Sequence, residues 1–114
     1  MSIYGIGIDV VDILRFKESV DRTPTLIYRL FTDREAALSI GSIAARFAAK
    51  EALTKALNLK TLNWREIEVM NEDSGKPYFI FHGAISEKLS GKKVHLTLSH
   101  DAGIASAMVI VENG

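Results

Sequence analysis

The sequence predicts an α+β fold in which helices pack on a mainly antiparallel sheet. Segments with helical periodicity fall in the first half of the chain, whereas alternating, strand-like segments dominate the second half. Residues 3–11 also alternate as a strand does, and we expect this strand to join the sheet. Because 114 residues without an internal repeat or a linker are typical of one folding unit, a single domain over residues 1–114 is expected.

Capping residues divide the first half into helices. Asp12 is a good N-cap, and Pro24 suits the first turn of a helix. Thr32 and Glu35 have the spacing of a capping box, and Ser42 can cap a further helix after a break. These signals predict helices over residues 13–21, from residue 24 onward, over 33–38 and over 43–57.

Turn residues divide the second half into strands. Gly75 suits a hairpin turn, Gly91 ends a short helix, and residues 101–103 are expected to form a tight turn. We therefore expect strands over residues 66–71, 77–81, 94–99 and 104–111, with a helix over 84–89.

Composition excludes several classes of protein. With 14 basic and 14 acidic residues the formal net charge is 0, which argues against non-specific adhesion to nucleic acid or to an anionic membrane. The chain has no cysteine, so disulfides, a thiol nucleophile and zinc sites with cysteine ligands are excluded. Because it shows neither a membrane-length apolar run nor the layout of a signal peptide, a cytoplasmic location is expected.

The zero net charge conceals an asymmetry along the chain. Residues 13–65 carry ten basic and five acidic side chains, so the remaining residues are acidic by the same margin. Either the folded protein has two surfaces of opposite charge, or folding mixes the charges over an ordinary solvated surface.

Small residues flank three charged residues. Asp9 shares its strand face with Gly5 and Gly7, and glycine in a strand often marks the close approach of another backbone or a ligand. On the longest predicted helix, Glu51 and Lys55 lie about 40° apart on a flank that also carries alanines. If these two faces pack together, Asp9, Glu51 and Lys55 converge.

The charged residues of this helix suggest a metal and a phosphate. Two carboxylates without a cysteine suit a hard cation such as Mg²⁺, which takes its other ligands from water and phosphates. Arg46 and Lys50, one helical turn apart, are a like-charge pair that an anion would stabilise. The alternative is structural, because Glu51 and Lys55 also form a stabilising helix pair, and Arg46 and Lys50 can simply face water.

His100 ends an apolar row of its strand that includes Leu96 and Leu98. An imidazole at this position can bind a phosphate, or it can be a half-buried residue whose hydrogen bonds are satisfied, and the sequence leaves both open. His82 and His95 have no companions in the sequence that indicate a site.

Two segments resemble motifs of the holo-acyl-carrier-protein synthases, which are the short 4′-phosphopantetheinyl transferases. The first is residues 5–16, Gly-Ile-Gly-Ile-Asp-Val-Val-Asp-Ile-Leu-Arg-Phe. The second is residues 46–57, which contain Lys-Glu-Ala and a second Lys four residues after the Glu. Weaker matches follow in the expected order at residues 29–32, 67–69, 75–77 and 98–100. The resemblance covers nearly the whole chain and implies the fold of that family.

This resemblance implies an enzyme that transfers 4′-phosphopantetheine from coenzyme A to a serine of an acyl carrier protein and releases adenosine 3′,5′-bisphosphate. By the same resemblance, Asp9 and Glu51 would hold Mg²⁺ and, with Lys55, form the catalytic set. The serine proton would pass either to Glu51 or to a metal-bound water, and the sequence does not decide between them. The alternative function is a module that binds coenzyme A or a nucleotide without transfer.

The resemblance also implies binding residues and partners. Contacts to coenzyme A are expected from Arg46, Lys50, Lys55, Ser99, His100 and Pro77. A homotrimer with active sites at the subunit interfaces is implied, whereas no nucleic-acid or membrane partner is expected. An acidic carrier protein is expected to dock on Arg15, Arg22 and Arg29. For Arg22 and Arg29 a plain solvated helix face stays open, because Pro24 interrupts their seven-residue period.

The chain departs from the family pattern at two places. Residues 58–60 are Asn-Leu-Lys, where the family usually has a Gly-x-Gly turn that lets backbone amides approach the phosphates. Asn58 can still adopt the left-handed conformation that ends a helix, and Lys60 can supply charge. Asp101 follows His100 where many relatives have Thr, so it is either a turn residue or a neighbour of the metal's water shell.

Overall fold

One long helix lies across a three-stranded sheet, and a two-stranded hairpin and shorter helices surround this pair. The computed structural model describes residues 2–114. The strands are β1 (Ile3–Asp12), β2 (Ile67–Asn71), β3 (Pro77–Phe81), β4 (Lys93–Asp101) and β5 (Ile104–Glu112). The helices are α1 (Ile13–Arg22), α2 (Thr25–Leu30), α3 (Asp33–Ala36), α4 (Ile40–Leu57) and α5 (Gly83–Lys88), with a 3₁₀ turn at Trp64–Glu66. These elements confirm the predicted α+β class.

The strands form two sheets rather than the single predicted one. β1, β5 and β4 form an antiparallel sheet in that order, and β2 pairs with β3. Side chains occupy backbone groups on the free edge of β2, which is the edge away from β3. Val69 N–H donates to Glu35 (2.9 Å), and the Val69 carbonyl accepts from Arg46 (3.0 Å). Another strand would have to displace both bonds to pair with that edge.

Helix α4 begins earlier than predicted. Its N-cap is Ser39, whose hydroxyl accepts a hydrogen bond from Ser42 N–H (3.3 Å), so the helix starts at Ile40 and Gly41 lies in its first turn. The prediction of Ser42 as the N-cap was wrong because Gly41 is tolerated near a helix end, where its low propensity costs little. At the other end Asn58 is left-handed (φ 53°, ψ 44°) and ends the helix as predicted.

Two other capping predictions are confirmed. Asp12 Oδ1 accepts a hydrogen bond from Arg15 N–H (3.0 Å) and caps α1. Thr32 and Glu35 form both bonds of a capping box at the start of α3. Helix α3 is shorter than predicted and ends at Ala36, because the chain has to turn there into the cap of α4.

Strand β4 extends closer to its turn than predicted, whereas β5 begins at Ile104 as predicted. They are joined by Ala102 and Gly103, which have positive φ angles of 50° and 79°, as a two-residue hairpin turn requires. His100 and Asp101 therefore lie within β4 and not in a loop. The alternation of a strand then fixes their opposite directions from the sheet.

The contact between α4 and β1 depends on two glycines. A Cβ on Gly7 would overlap the carbonyl oxygen of Ala52, and a Cβ on Gly5 would overlap that of Ala56. The helix backbone therefore lies directly against the strand, as the row of small residues predicted. Asp9 is the next residue of that row, so it is held beside the same helix.

The interior is built around α4. The buried residues of the helix are Ile43, Ala44, Ala45, Arg46, Ala48, Ala49, Lys50, Ala52, Leu53, Ala56 and Leu57. A larger apolar cluster joins α4 to β2, β5 and α5, and a smaller one joins its first turns to α1 and the residues around α2. Two charged side chains of the helix are thus enclosed with the apolar ones. Within residues 2–114 no helix is both long and apolar enough to cross a membrane.

The outer face of the three-stranded sheet is apolar and open. Alternate residues of β1 point away from α4, and Tyr4, Ile6, Ile8 and Val10 are 47%, 60%, 62% and 66% exposed. Met108 of the neighbouring strand β5 extends the row and is 40% exposed. A contiguous apolar patch of this kind is typical of an interaction surface.

We predict that Gly7→Ala destabilises the protein by about 1–3 kcal/mol or more, because the new Cβ overpacks the α4–β1 contact. Gly41→Ala is the matched control: it has open space around it in the same helix, so stability should stay unchanged or rise by up to about 1 kcal/mol. Urea unfolding of both variants measures the difference. Equal effects of the two substitutions would contradict the close contact.

Candidate active site

Asp9 and Lys55 meet across the β1–α4 contact. Lys55 Nζ donates to Asp9 Oδ1 (3.0 Å) and to the carbonyl oxygen of Ile8 (2.9 Å). The Asp9 side chain is 16% exposed, whereas the Lys55 side chain is 53% exposed at the rim of the contact. Two of the three hydrogens of the ammonium are used in these bonds, so one is left for a ligand.

Glu51 lies one turn before Lys55 on α4, where the negative charge of Asp9 acts on it. Burial raises the pKa of Glu51, the negative charge of Asp9 raises it further, and Lys55 offsets part of the increase. A divalent cation beside both carboxylates would relieve their repulsion, and oxygen ligands suit Mg²⁺. Within residues 2–114 no group of three or more His, Asp or Glu side chains is placed to hold a metal ion.

A second cluster of predicted residues surrounds a cavity of about 390 Å³. Arg46 of α4, Pro77 of β3, and Ser99 and His100 of β4 all border it. Asp101 does not border this cavity; it is exposed at the last position of β4, next to the hairpin turn. Three separate elements thus bring four of the expected ligand-binding residues together.

Arg46 is a buried cation without an ionic partner. It is 6% exposed, and its guanidinium donates to Val69 O (3.0 Å), Ser42 O (3.2 Å) and Asn71 Oδ1 (2.8 Å). Burial lowers the pKa of Arg46, and the more distant charge of Glu35 offsets only part of this. Among the described residues, no carboxylate forms a salt bridge with it. Two of its five N–H groups are left, so the guanidinium is suited to bind an anion in the cavity.

Lys50 has a different environment from the predicted one. It is fully buried, and its ammonium donates to Glu35 Oε1 (2.7 Å), Leu30 O (2.9 Å) and Trp64 O (3.1 Å), and it lies over the ring of Phe31. All three hydrogens are used, so none is left for a phosphate. The expectation that Lys50 and Arg46 flank one anion is corrected: Lys50 joins α4 to the segments around α2 and α3.

The two clusters lie on different sides of α4. Arg46 and Lys55 are nine residues apart, which corresponds to about 180° around the helix and about 13 Å along its axis. The strands agree with this separation, because Asp9 belongs to β1 and His100 to β4, which are the two opposite edges of the three-stranded sheet. One chain therefore does not bring the carboxylates and the Arg46 cavity together.

The three predicted docking arginines lie on the surface of α1 and α2. Arg15 borders an apolar groove of about 350 Å³ between these helices, together with Phe16 and Leu26. Arg22 is exposed in the last turn of α1, and Arg29 is exposed on α2. The structure gives only Arg15 a position at the border of a groove.

The structure also reveals residues that the sequence interpretation missed. A cavity of about 430 Å³ beside Glu51 is bordered by Lys60 and also by Thr54 and Trp64. The position of Thr54, one turn after Glu51, could have identified it from the sequence. Trp64 follows a loop after α4, and the sequence does not show the path of that loop. Asn71 was not singled out either, although it precedes the hairpin turn and contacts Arg46.

Comparison with known proteins matches the chain to one family. The model of the 4′-phosphopantetheinyl transferase superfamily matches residues 5–105. A holo-[acyl-carrier-protein] synthase of Clavibacter michiganensis is 46% identical over 114 residues, which cover 96% of both chains. The acyl carrier protein synthase structure of Mycobacterium tuberculosis has a TM-score of 0.82 at 36% identity, covering 98% of this chain and 99% of that one. A holo-(acyl-carrier-protein) synthase of Bacillus anthracis in complex with CoA (3′,5′-ADP) has a TM-score of 0.82 at 33% identity over 100% of both chains.

Two lysines of α4 can be compared to test which charge is structural: Lys50 is buried, whereas Lys55 is exposed. We predict that Lys50→Met lowers the free energy of unfolding by about 3–5 kcal/mol, because it leaves the buried carboxylate of Glu35 without its cation. Lys55→Met, on the same helix, should change it by less than about 1 kcal/mol, because that pair is half exposed. Urea unfolding followed by the fluorescence of Trp64 measures both. Similar small losses for the two variants would contradict the structural role of Lys50.

Proposed function

Because the chain belongs to the holo-[acyl-carrier-protein] synthases of the 4′-phosphopantetheinyl transferase superfamily, we propose that it transfers 4′-phosphopantetheine from coenzyme A to a serine of an acyl carrier protein. The serine hydroxyl gives up its proton, either to Glu51 or to a water, and its oxygen bonds to the phosphorus of the pantetheine arm. The bond from that phosphorus to the bridging oxygen breaks, and adenosine 3′,5′-bisphosphate leaves. The nucleophile belongs to the carrier, so this chain needs none of its own.

The observation that carries the proposal is the state of Arg46. A guanidinium that is 6% exposed and lacks a carboxylate partner is costly unless an anion compensates it. The cavity beside it also holds His100 and Ser99, which can donate hydrogen bonds to phosphate oxygens. We propose that a phosphate of coenzyme A occupies this cavity and that Pro77 packs beside it.

The carboxylate pair supports a metal site. Asp9 and Glu51 are two oxygen donors on rigid elements, and their mutual repulsion fits them to a divalent cation such as Mg²⁺. When bound, Mg²⁺ would act as a Lewis acid that neutralises charge on the phosphates. Lys55 would fix the direction of Asp9 and offer the remaining hydrogen of its exposed ammonium to a phosphate oxygen.

We propose that a working site forms between two copies of the chain. The carboxylates lie at the β1 edge of the sheet and the Arg46 cavity at the β4 edge, so a head-to-tail contact would place one beside the other. Repetition of a head-to-tail contact closes into a ring, and the homotrimer is such a ring. The open apolar row of Tyr4, Ile6, Ile8 and Val10 would be covered in this assembly.

The carrier protein is proposed to dock on the basic side of α1 and α2. Arg15 lies at the apolar groove, so it combines charge with a surface that an apolar side chain of the carrier can enter. Arg22 and Arg29 are exposed and would add long-range attraction for an acidic partner. This surface adjoins Asp12, three residues after Asp9 on the chain, so the carrier's serine is delivered near the carboxylates.

We predict that the protein, with coenzyme A and Mg²⁺, raises the mass of an apo-carrier by one phosphopantetheine, and that Asp9→Ala or Glu51→Ala abolishes this change because a metal ligand is lost. Glu87→Ala, which removes an exposed carboxylate of α5, is the control and should retain activity. Mass spectrometry of the carrier reads the outcome. Binding of coenzyme A without any mass change would instead favour the module without transfer, for which the altered turn at residues 58–60 is the argument.

The same assay tests the shared site. If Asp9 and Arg46 of one active site come from different copies, a refolded mixture of Asp9→Ala and Arg46→Ala chains should regain about a quarter of the wild-type rate, because random assembly restores that share of the sites. Neither variant alone should approach this rate. A mixture no more active than its components would contradict the site between subunits.

We predict that Arg15→Glu raises the KM for the carrier at least about tenfold while the KM for coenzyme A changes little, because a docking charge is reversed. Lys17→Glu makes the same change of charge on the same helix at an exposed position outside the groove, so its effect should be small. Steady-state kinetics with each substrate varied separately measures both values. If the two variants raise the KM for the carrier equally, then Arg15 acts only through the overall charge of the protein and not as a specific docking residue.

A further inference from the structure

Asn71 uses both ends of its side-chain amide. Its Oδ1 accepts a hydrogen bond from Arg46 Nη2 (2.8 Å), and its Nδ2 donates to the carbonyl oxygen of Gly75 (2.9 Å). Asn71 is the last residue of β2, and Gly75 lies in the turn that leads to Pro77 of β3. One amide thus joins the guanidinium of α4 to the hairpin turn.

These bonds fix the position of the Arg46 guanidinium relative to the Gly75 turn, and both border the same cavity. Arg46, Asn71, Gly75 and Pro77 all border the cavity of about 390 Å³. The turn is itself well defined, because Gly75 has a φ of 95° and its N–H donates to Glu72 O (2.8 Å). Movement of the turn would therefore be transmitted to the guanidinium through Asn71.

The position of Arg46 is fixed before any ligand arrives. Two backbone carbonyls, of Val69 and Ser42, accept from Nε and Nη1, and Asn71 supplies the side-chain contact to Nη2. A long side chain that is already ordered loses less conformational entropy when an anion binds. Because the hydrogen-bonded amide is neutral, it orients the guanidinium without cancelling the positive charge that attracts the anion.

We propose that Asn71 is a positioning residue for coenzyme A: it ties the Arg46 guanidinium to the Gly75 turn and so holds the guanidinium in the geometry that receives a phosphate. This inference rests on the proposed function, because it takes the Arg46 cavity as the phosphate site. Asn71 does not need to touch the ligand, and its effect is exerted through Arg46. Aspartate at this position would keep an acceptor for Arg46, but it would lose the donor to Gly75 and neutralise the guanidinium.

The test measures binding of coenzyme A by calorimetry to the wild type, Asn71→Ala, Arg46→Ala and the double variant. Arg46→Ala should weaken binding by about tenfold or more, since it removes bonds to a charged group. Asn71→Ala should weaken it by about fivefold, and the double variant should be no weaker than Arg46→Ala alone, since Asn71 acts only through Arg46. Asn71→Asp should bind more weakly than Asn71→Ala.

Kinetics and stability separate positioning from a general effect on the fold. For Asn71→Ala the KM for coenzyme A should rise while kcat and the KM for the carrier stay within about twofold, because binding of the ground state and of the transition state is weakened equally. Asn71 is exposed, so thermal melting should show both Asn71 variants folded. Asn113→Ala, which also removes an asparagine hydrogen bond, is the control and should leave coenzyme A binding unchanged.

Two outcomes would overturn the inference alone. The first is additive losses in the double variant, and the second is tighter binding by Asn71→Asp than by Asn71→Ala. If Arg46→Ala binds coenzyme A as the wild type does, then the phosphate site itself is misplaced and the inference fails with it. If the wild-type protein does not transfer phosphopantetheine, the proposed function is overturned instead. The binding data would still decide the role of Asn71.

Discussion

The direct contact between the backbones of β1 and α4 is the constraint on which the rest of the molecule depends. Gly5 and Gly7 leave no side chain between strand and helix, so α4 lies low enough for its alanines to fill the space against the sheet. The same closeness brings Asp9 within hydrogen-bond distance of Lys55 and makes Glu51 sense the charge of Asp9. A single methyl group on Gly7 would disturb both the core and the site, because both depend on the contact between β1 and α4.

Arg46 and Lys50 show how burial alone fails to distinguish a structural charge from a functional one. Both are cations on buried faces of α4, one helical turn apart. Lys50 is compensated within the chain by Glu35, and its three hydrogens all have acceptors. Arg46 has neutral acceptors, an open cavity and two N–H groups to spare. A buried charge is stabilised by a partner, and because Arg46 has no ionic partner within the chain we propose that it binds an anion.

The charge pattern of the chain acquires a spatial meaning from the fold. The basic segment, residues 13–65, contains Lys50 inside, Arg46 at the cavity, and Arg15 at the groove of α1 and α2. Its positive charge is therefore divided between a structural ion pair, a proposed phosphate site and a proposed docking surface. The carboxylates and the Arg46 cavity lie at opposite edges of one sheet, which is the reason for proposing a site shared between two copies of the chain.

Local signals in the sequence are sufficient to predict most of the helices and strands and the approach of Asp9 to Lys55. The sequence predicts the helix caps at Asp12 and Thr32 and the turn at Gly75, because each depends on neighbours along the chain. It also predicts the glycine row that leads to Asp9, because this row depends on a single contact of small residues. Packing between distant segments sets the arrangement of the strands in two sheets and the partner of Lys50. Glu35, for example, reaches Lys50 only after α3 folds against α4. Helical periodicity places Arg46 and Lys50 on neighbouring faces, but only packing shows which of them meets a carboxylate and which meets a cavity.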